Sequence, residues 1–132
     1  MNSPGHDIAV HLAANGVGTF NPSSASSTIF VGTEPAKPDD CVTIYDTGGA
    51  EPDTVELDWF RPTFQVRVRD GSYVDAYNKQ VTIRELLILS EIQFSGGRFV
   101  GVMMSSEIMS LGLDENKRYV LVANYRAIRE ES

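Results

Sequence analysis

The sequence predicts an α+β fold: one domain in which a mainly antiparallel β-sheet packs against one long helix, with a short helix added at the N-terminus. Three observations predict it. From Thr63 to Arg69, Phe64, Val66 and Val68 face one way while Gln65, Arg67 and Arg69 face the other, the period of two that marks a strand with one buried side. From about Tyr73 to about Ser90, apolar side chains recur at helical spacing. Clusters of turn-forming residues separate several further short β-rich runs. At 132 residues, 42% hydrophobic and 22% charged, the chain has the size and composition of a single domain around one core. Residues 1–132 are therefore read as one unit, with 1–17 an N-terminal helix and 18–27 a connector.

The elements follow in order. Ser3-Pro4 reads as an N-cap followed by proline at the first helical position, and Asn15-Gly16 closes the helix. The connector, Gly18 to Ser27, is poor in charge and rich in Ser, Asn, Gly and Pro. Thr28-Ile29-Phe30-Val31 and Cys41-Val42-Thr43-Ile44-Tyr45 are short strands, and the proline-bounded segment between them suggests an antiparallel pair. Asp46-Thr47-Gly48-Gly49 reads as a turn, because glycine tolerates positive φ, and Ala50 to Arg61 as an acidic loop. After the strand at Thr63 to Arg69, Asp70-Gly71-Ser72 turns the chain into the long helix. That helix is apolar on two sides: Val74, Tyr77, Val81 and Ile88 on one, Ala76, Ile83 and Leu87 roughly opposite. Such a helix is either wrapped by its own fold or offers one side to a neighbour. Gly96-Gly97 is a turn, Arg98 to Met104 a strand, Leu111 to Asn116 a loop, and Arg118 to about Arg129 the last strand. The sheet then has four to six strands.

Charge narrows the function classes. The net charge of −7 is concentrated: residues 1–60 carry nine acids against the single base Lys37, whereas 61–132 carry nine acids and ten bases. Most of the excess lies between Glu34 and Asp58. Contact with nucleic acid relies on Lys and Arg, so this surface argues against it. An acidic stretch suits either a solvated face or a basic patch on another protein. The strand residues Arg61, Arg67 and Arg69 are such a basic face, and Asp53, Glu56 and Asp58 are its candidate acidic counterparts at a subunit interface. The longest apolar run, Leu86 to Leu89, is far shorter than the ~20 residues of a membrane-spanning helix. The N-terminus has no basic-then-apolar pattern of a secretory signal, and the single cysteine, Cys41, allows no internal disulfide, so cytoplasmic synthesis is expected.

Few residues suggest chemistry. Asp46-Thr47-Gly48 is the triplet of retroviral-type aspartic proteases, in which two copies share a proton between carboxylates. Here its neighbours, Tyr45 and Gly49, depart from the protease pattern, which favours a polar loop; a dimeric aspartic protease using Asp46 is the alternative function. His6 and His11 fall on different helical faces and have no third ligand partner, so no metal and no cofactor is expected. Cys41 reads as a small buried thiol. No phosphate-binding glycine pattern occurs. The expectation is a structural protein, not an enzyme.

Three blocks carry a resemblance: Cys41-Val42-Thr43-Ile44-Tyr45-Asp46-Thr47-Gly48-Gly49; Arg61-Pro62-Thr63-Phe64-Gln65-Val66-Arg67-Val68-Arg69; and Leu111-Gly112-Leu113-Asp114-Glu115-Asn116-Lys117-Arg118 with Asn124-Tyr125. In their order and spacing they resemble the minor capsid or tail terminator (tail completion) proteins of long-tailed bacteriophages, over roughly residues 25–130. The resemblance implies a virion protein at the head-proximal end of the tail, made in the host cytoplasm. It implies a six-membered ring that ends tail-tube polymerisation and joins the tube to the head–tail connector, with DNA passing through unbound. Its implied partners are further copies of itself, the tube protein and the connector protein, with no membrane. The family-motif residues it marks as structural are Gly48, Gly49, Phe64, Gln65, Gly112, Asp114 and Asn124.

Overall fold

The computed structural model describes residues 2–21, 27–50, 59–89 and 91–131. Helix α1, Pro4–Ala14, begins where expected: the Ser3 hydroxyl accepts from His6 N at 3.2 Å and proline opens the first turn. Its stripe of Ile8, Ala9 and Leu12 is fully buried. Strands β1 (Ile29–Val31), β2 (Cys41–Ala50) and β3 (Trp59–Asp70) follow, then helix α2 (Tyr73–Ile88). Strands β4 (Ile92–Phe94), β5 (Gly97–Met104), β6 (Met109–Leu113) and β7 (Tyr119–Glu131) complete the chain.

These elements form an α+β domain dominated by a seven-stranded mixed sheet of order β1-β2-β3-β7-β5-β4, with β6 paired to β7 beside β5. The long strands β3 and β7 are its spine, in register from Asp70↔Tyr119 to Trp59↔Glu130. Both helices contribute to one core with one sheet face. Ile8, Ala9 and Leu12 of α1 and Ala76, Ile83 and Leu87 of α2 join Ile44, Phe64, Val66, Val68, Leu121, Ala123 and Tyr125. The sheet therefore does not rest on a single long helix; two helices share its face. The buried Gln80 amide of α2 donates to Val66 O at 3.1 Å and Leu121 O at 2.9 Å, tying the helix to both spine strands.

Several local expectations are corrected. β1 and β2 are parallel, not antiparallel. A parallel partner needs the chain to cross over before pairing, and residues 32–40 make that crossing. Asp46 to Gly49 is not a turn: β2 continues through it to Ala50, with a register shift between Asp46 and Gly48. The glycines serve that bulge, with φ of 93° at Gly48 and 131° at Gly49. A Cβ on Gly49 would stand 2.2 Å from Arg61 O across the pair, so only glycine fits there. Leu111 to Asn116 is not wholly a loop, because β6 covers Met109–Leu113. Its pairing with β7 also shifts register, between Ser110 and Leu113, and Gly112 sits there at φ 84°. The short strand β4 falls in a stretch that the sequence reading left unassigned.

Candidate functional site

The chemistry-bearing triplet is best followed from its atoms. The Asp46 carboxylate accepts from Gly5 N at 2.7 Å, at the first turn of α1, where an anion complements the exposed N–H groups of a helix start. A Cβ on Gly5 would lie 3.0–3.1 Å from both Asp46 oxygens, so the glycine opens the space for this contact. Thr47 and Thr63 share a hydroxyl–hydroxyl hydrogen bond of 2.7 Å across β2 and β3. Asp46, Thr47 and Gly48 thus cap a helix and bend a strand. Among the described residues no group of three or more His, Cys, Asp and Glu is placed to hold a metal. Cys41 is buried, and that burial pushes its thiol above the ordinary range.

The face of the sheet away from the helices carries the arginines. Arg67 and Arg69 stand on it beside Thr43, Cys41, Val122 and Val120, their cross-strand partners. Segment 32–40 lies across this face. Glu34 places one carboxylate oxygen 2.7 Å from Arg67 Nε and the other 3.4 Å from Arg69 Nη1. The Arg67 N–H is not aimed at its neighbour, so that contact is a charge pair and not a hydrogen bond. Arg69 also donates to Pro38 O at 2.6 Å and Asp39 O at 3.2 Å. Arg118 donates to Ala36 O at 2.7 Å, to Asp39 at 3.2 Å and to Asp114 at 2.8 Å. Asp114 in turn accepts from the backbone of Arg118 and Asn116, each at 2.9 Å, and the Arg118 N–H foremost holds its carboxyl below the usual range.

The remaining sequence-marked residues find distinct places. Phe64 stacks on Tyr125 at 5.3 Å between ring centroids. Gln65 Nε2 donates to Asn124 Oδ1 at 3.1 Å, and the Asn124 backbone and side-chain N–H groups donate to Ser106 Oγ at 3.1 and 3.2 Å. Arg61 is exposed and, with Arg126, borders a shallow hollow of about 250 Å³ floored by Met103 and Ile128. Asp53, Glu56 and Asp58 lie outside the described residues.

Sequence reasoning missed the apolar surface. Within α2, the set Ala76, Ile83, Leu87 is buried, while Val74 (64% exposed), Tyr77 and Ile88 face outward. All five residues of β6 are exposed, among them Met109, Leu111 and Leu113 at about half of their full area. No strand pairs with the outer edge of β6 among the described residues. Tyr73 joins the two surfaces, meeting Tyr119 edge-to-face at 5.6 Å while Tyr119 pairs with Leu113. At the other end of α2, Leu89 is 80% exposed beside Ile88 and Val100, over a hollow of about 300 Å³. Contiguous exposed apolar surface of this kind marks sites that another molecule covers. The signal was present in the two-sided α2 pattern, whereas β6 read as a loop.

Comparison with known proteins places this fold. It is similar to a chain in the virion of a native gene transfer agent particle, with a TM-score of 0.62 at 16% identity, over 94% of this chain and 86% of that one. No curated protein sequence matches the chain. A family model described as bacteriophage tail terminator protein matches residues 11–131, a span that takes in the bulged β2, both spine strands, α2 and the β6 edge. The chain belongs to the bacteriophage tail terminator family.

Proposed function

We propose that the chain is a structural subunit of a phage tail, six copies of which form a ring that caps the tail tube and joins it to the head–tail connector. The observation that carries this is the family match over residues 11–131. Two features of the molecule support it. It exposes apolar surface at two separate places, as a subunit that contacts neighbours on two sides requires. Its net charge of −7 suits a ring whose lumen lets DNA slide without sticking. The protein is made in the host cytoplasm and finishes in the virion, at the head-proximal end of the tail.

Arg67 and Arg69 take their acids from Glu34 of the same chain. Asp53, Glu56 and Asp58, with Arg61, remain the candidate charged contact between neighbours; the alternative use of these acids is to line the lumen. Charge reversal at Asp53 or Glu56 separates the two, breaking the ring in the first case and slowing DNA passage through an intact ring in the second. The ring itself is tested by the copy number and position of the chain in purified particles. Six copies at the head-proximal end of the tail are expected; absence from the particle, or a location elsewhere, overturns the proposal.

A further inference from the structure

The exposed apolar residues fall into two groups at opposite ends of α2, whose 16 residues span about 24 Å. One group is convex. It is the open edge of β6, with Met109, Leu111 and Leu113, continued by Tyr73 and Val74. The other is concave: the hollow of about 300 Å³ between the end of α2 and β5, bordered by Leu87, Ile88, Leu89, Ile92 and Val100. Groups this far apart on one subunit cannot both be covered by a single two-fold contact, which uses the same patch on each partner. A head-to-tail contact uses two different patches, and these differ in shape in the complementary sense.

Charge agrees with that pairing. The five residues of β6 are uncharged, and the strand is flanked by an exposed acid, Glu107, and an exposed base, Lys117. The hollow has one acid and one base at its rim, Glu91 and Arg98. Next to the hollow, β4 ends the sheet with an outer edge that no strand pairs among the described residues. Uncovered edges and apolar patches are costly in a finished particle. A closed ring in which each β6 edge enters the next subunit's hollow covers both in every copy.

We infer that β6 of one copy seats in the α2–β5 hollow of the next, and that this contact closes the ring. The inference rests on the ring reading above and adds its interface. The partner is a second copy of this chain, recognised by an uncharged apolar edge strand between an acid and a base.

The test is site-directed cross-linking of the full chain on assembled tails. Cys41 is 1% exposed, so introduced thiols are the ones a maleimide reaches. The double variant Leu89→Cys/Leu111→Cys, treated with a short bis-maleimide, should give a ladder rising from dimer to hexamer. Neither single variant should give more than monomer. Dimers from Leu111→Cys alone would mean that edge meets edge, and would overturn the inference. So would wild-type rings on tails whose double-variant counterparts cross-link no better than the single ones. A wild-type chain that forms no ring on tails takes down the ring reading and this interface together, which distinguishes the two failures.

Discussion

Segment 32–40 and strand β6 meet at Arg118, yet they dispose of their chemistry in opposite ways. The segment is acidic by sequence, and its charges are turned inward: Glu34 against Arg67 and Arg69, Asp39 against Arg118, Asp40 onto Gly71 N at 3.2 Å. β6 carries no charge at all, and its apolar side chains are turned outward. Acidic sequence is thus spent on holding this fold together, while apolar sequence is left for a neighbour to cover. The same inversion recurs at the other end of the spine. Arg129, 3% exposed, pairs with Asp7 of α1, donates to Asn2 O at 2.9 Å and lies 4.5 Å over the Phe94 ring. Burial pushes the Asp7 carboxyl up, and Arg129 pulls it back.

If inward charge is structural, breaking this buried pair should have the largest effect on the monomer. Asp7→Ala leaves a buried guanidinium short of its carboxylate, and should lower stability by about 3 kcal/mol in urea unfolding. The double variant Asp7→Leu/Arg129→Met should recover most of that loss, because two apolar groups need no partner. A single variant within 0.5 kcal/mol of wild type (about the noise of surface substitutions) would show that the pair is not a structural anchor.

How much of this was legible in the sequence depends on whether the signal is local. The ends of α1, the strict alternation from Thr63 to Arg69 and the placing of Cys41 inside are local, and all stand in the structure. The parallel pairing of β1 was not legible, because it follows from where segment 32–40 goes, and that is fixed by Arg67, Arg69 and Arg118 far along the chain. β6 was not legible either. Leu111-Gly112-Leu113-Asp114 has the composition of a turn, and only pairing with β7 makes its first part a strand. The Asp46 triplet was legible as a motif but not as a cap, since its partner Gly5 lies 41 residues away. For α2 the sequence showed two apolar sides; only the tertiary contacts of Ala76, Ile83 and Leu87 show which of them is left to a neighbour.

Burial without a partner gives the next effect. Tyr125 is fully buried against Phe64, and its hydroxyl has no hydrogen-bond partner. Burial foremost pushes its phenol from 10.0 up to about 12. A raised folded value means that the neutral form stabilises the fold below the unfolded value, and that this stability is lost as pH rises between the two. The two-unit gap corresponds to about 2.7 kcal/mol. Stability measured by urea unfolding should therefore fall between pH 10 and about 12, and Tyr125→Phe should remove that part of the fall. An unchanged alkaline limb in the variant would assign the loss to other groups.

A smaller effect sharpens the functional side. Asn in place of Asp46 still accepts from Gly5 N but removes the charge at the start of α1, a change worth about 0.5 kcal/mol. Thermal unfolding should show only that, and tails should still be capped. Should wild-type particles instead show a peptidase activity that Asp46→Asn abolishes, the triplet would be working as more than a cap and a bend.

The smallest effect on folding should come with a complete effect on assembly, and it tests the outward half of the comparison directly. Leu111 and Leu89 are 52% and 80% exposed, so Asp at either position should change monomer stability by no more than about 0.5 kcal/mol. Each should nevertheless abolish rings on tail tubes, because a charge would have to enter the apolar contact unpaired. Mixing the two single variants then distinguishes head-to-tail pairing from a common weakening. The Leu111→Asp chain keeps a sound hollow and the Leu89→Asp chain a sound edge, so one good contact forms between them and propagation stops there. One-to-one dimers should result from the mixture, and from neither variant alone. Rings from either variant would mean that the outward apolar residues of β6 and α2 are ordinary surface, and that the charges outside the described residues carry assembly after all.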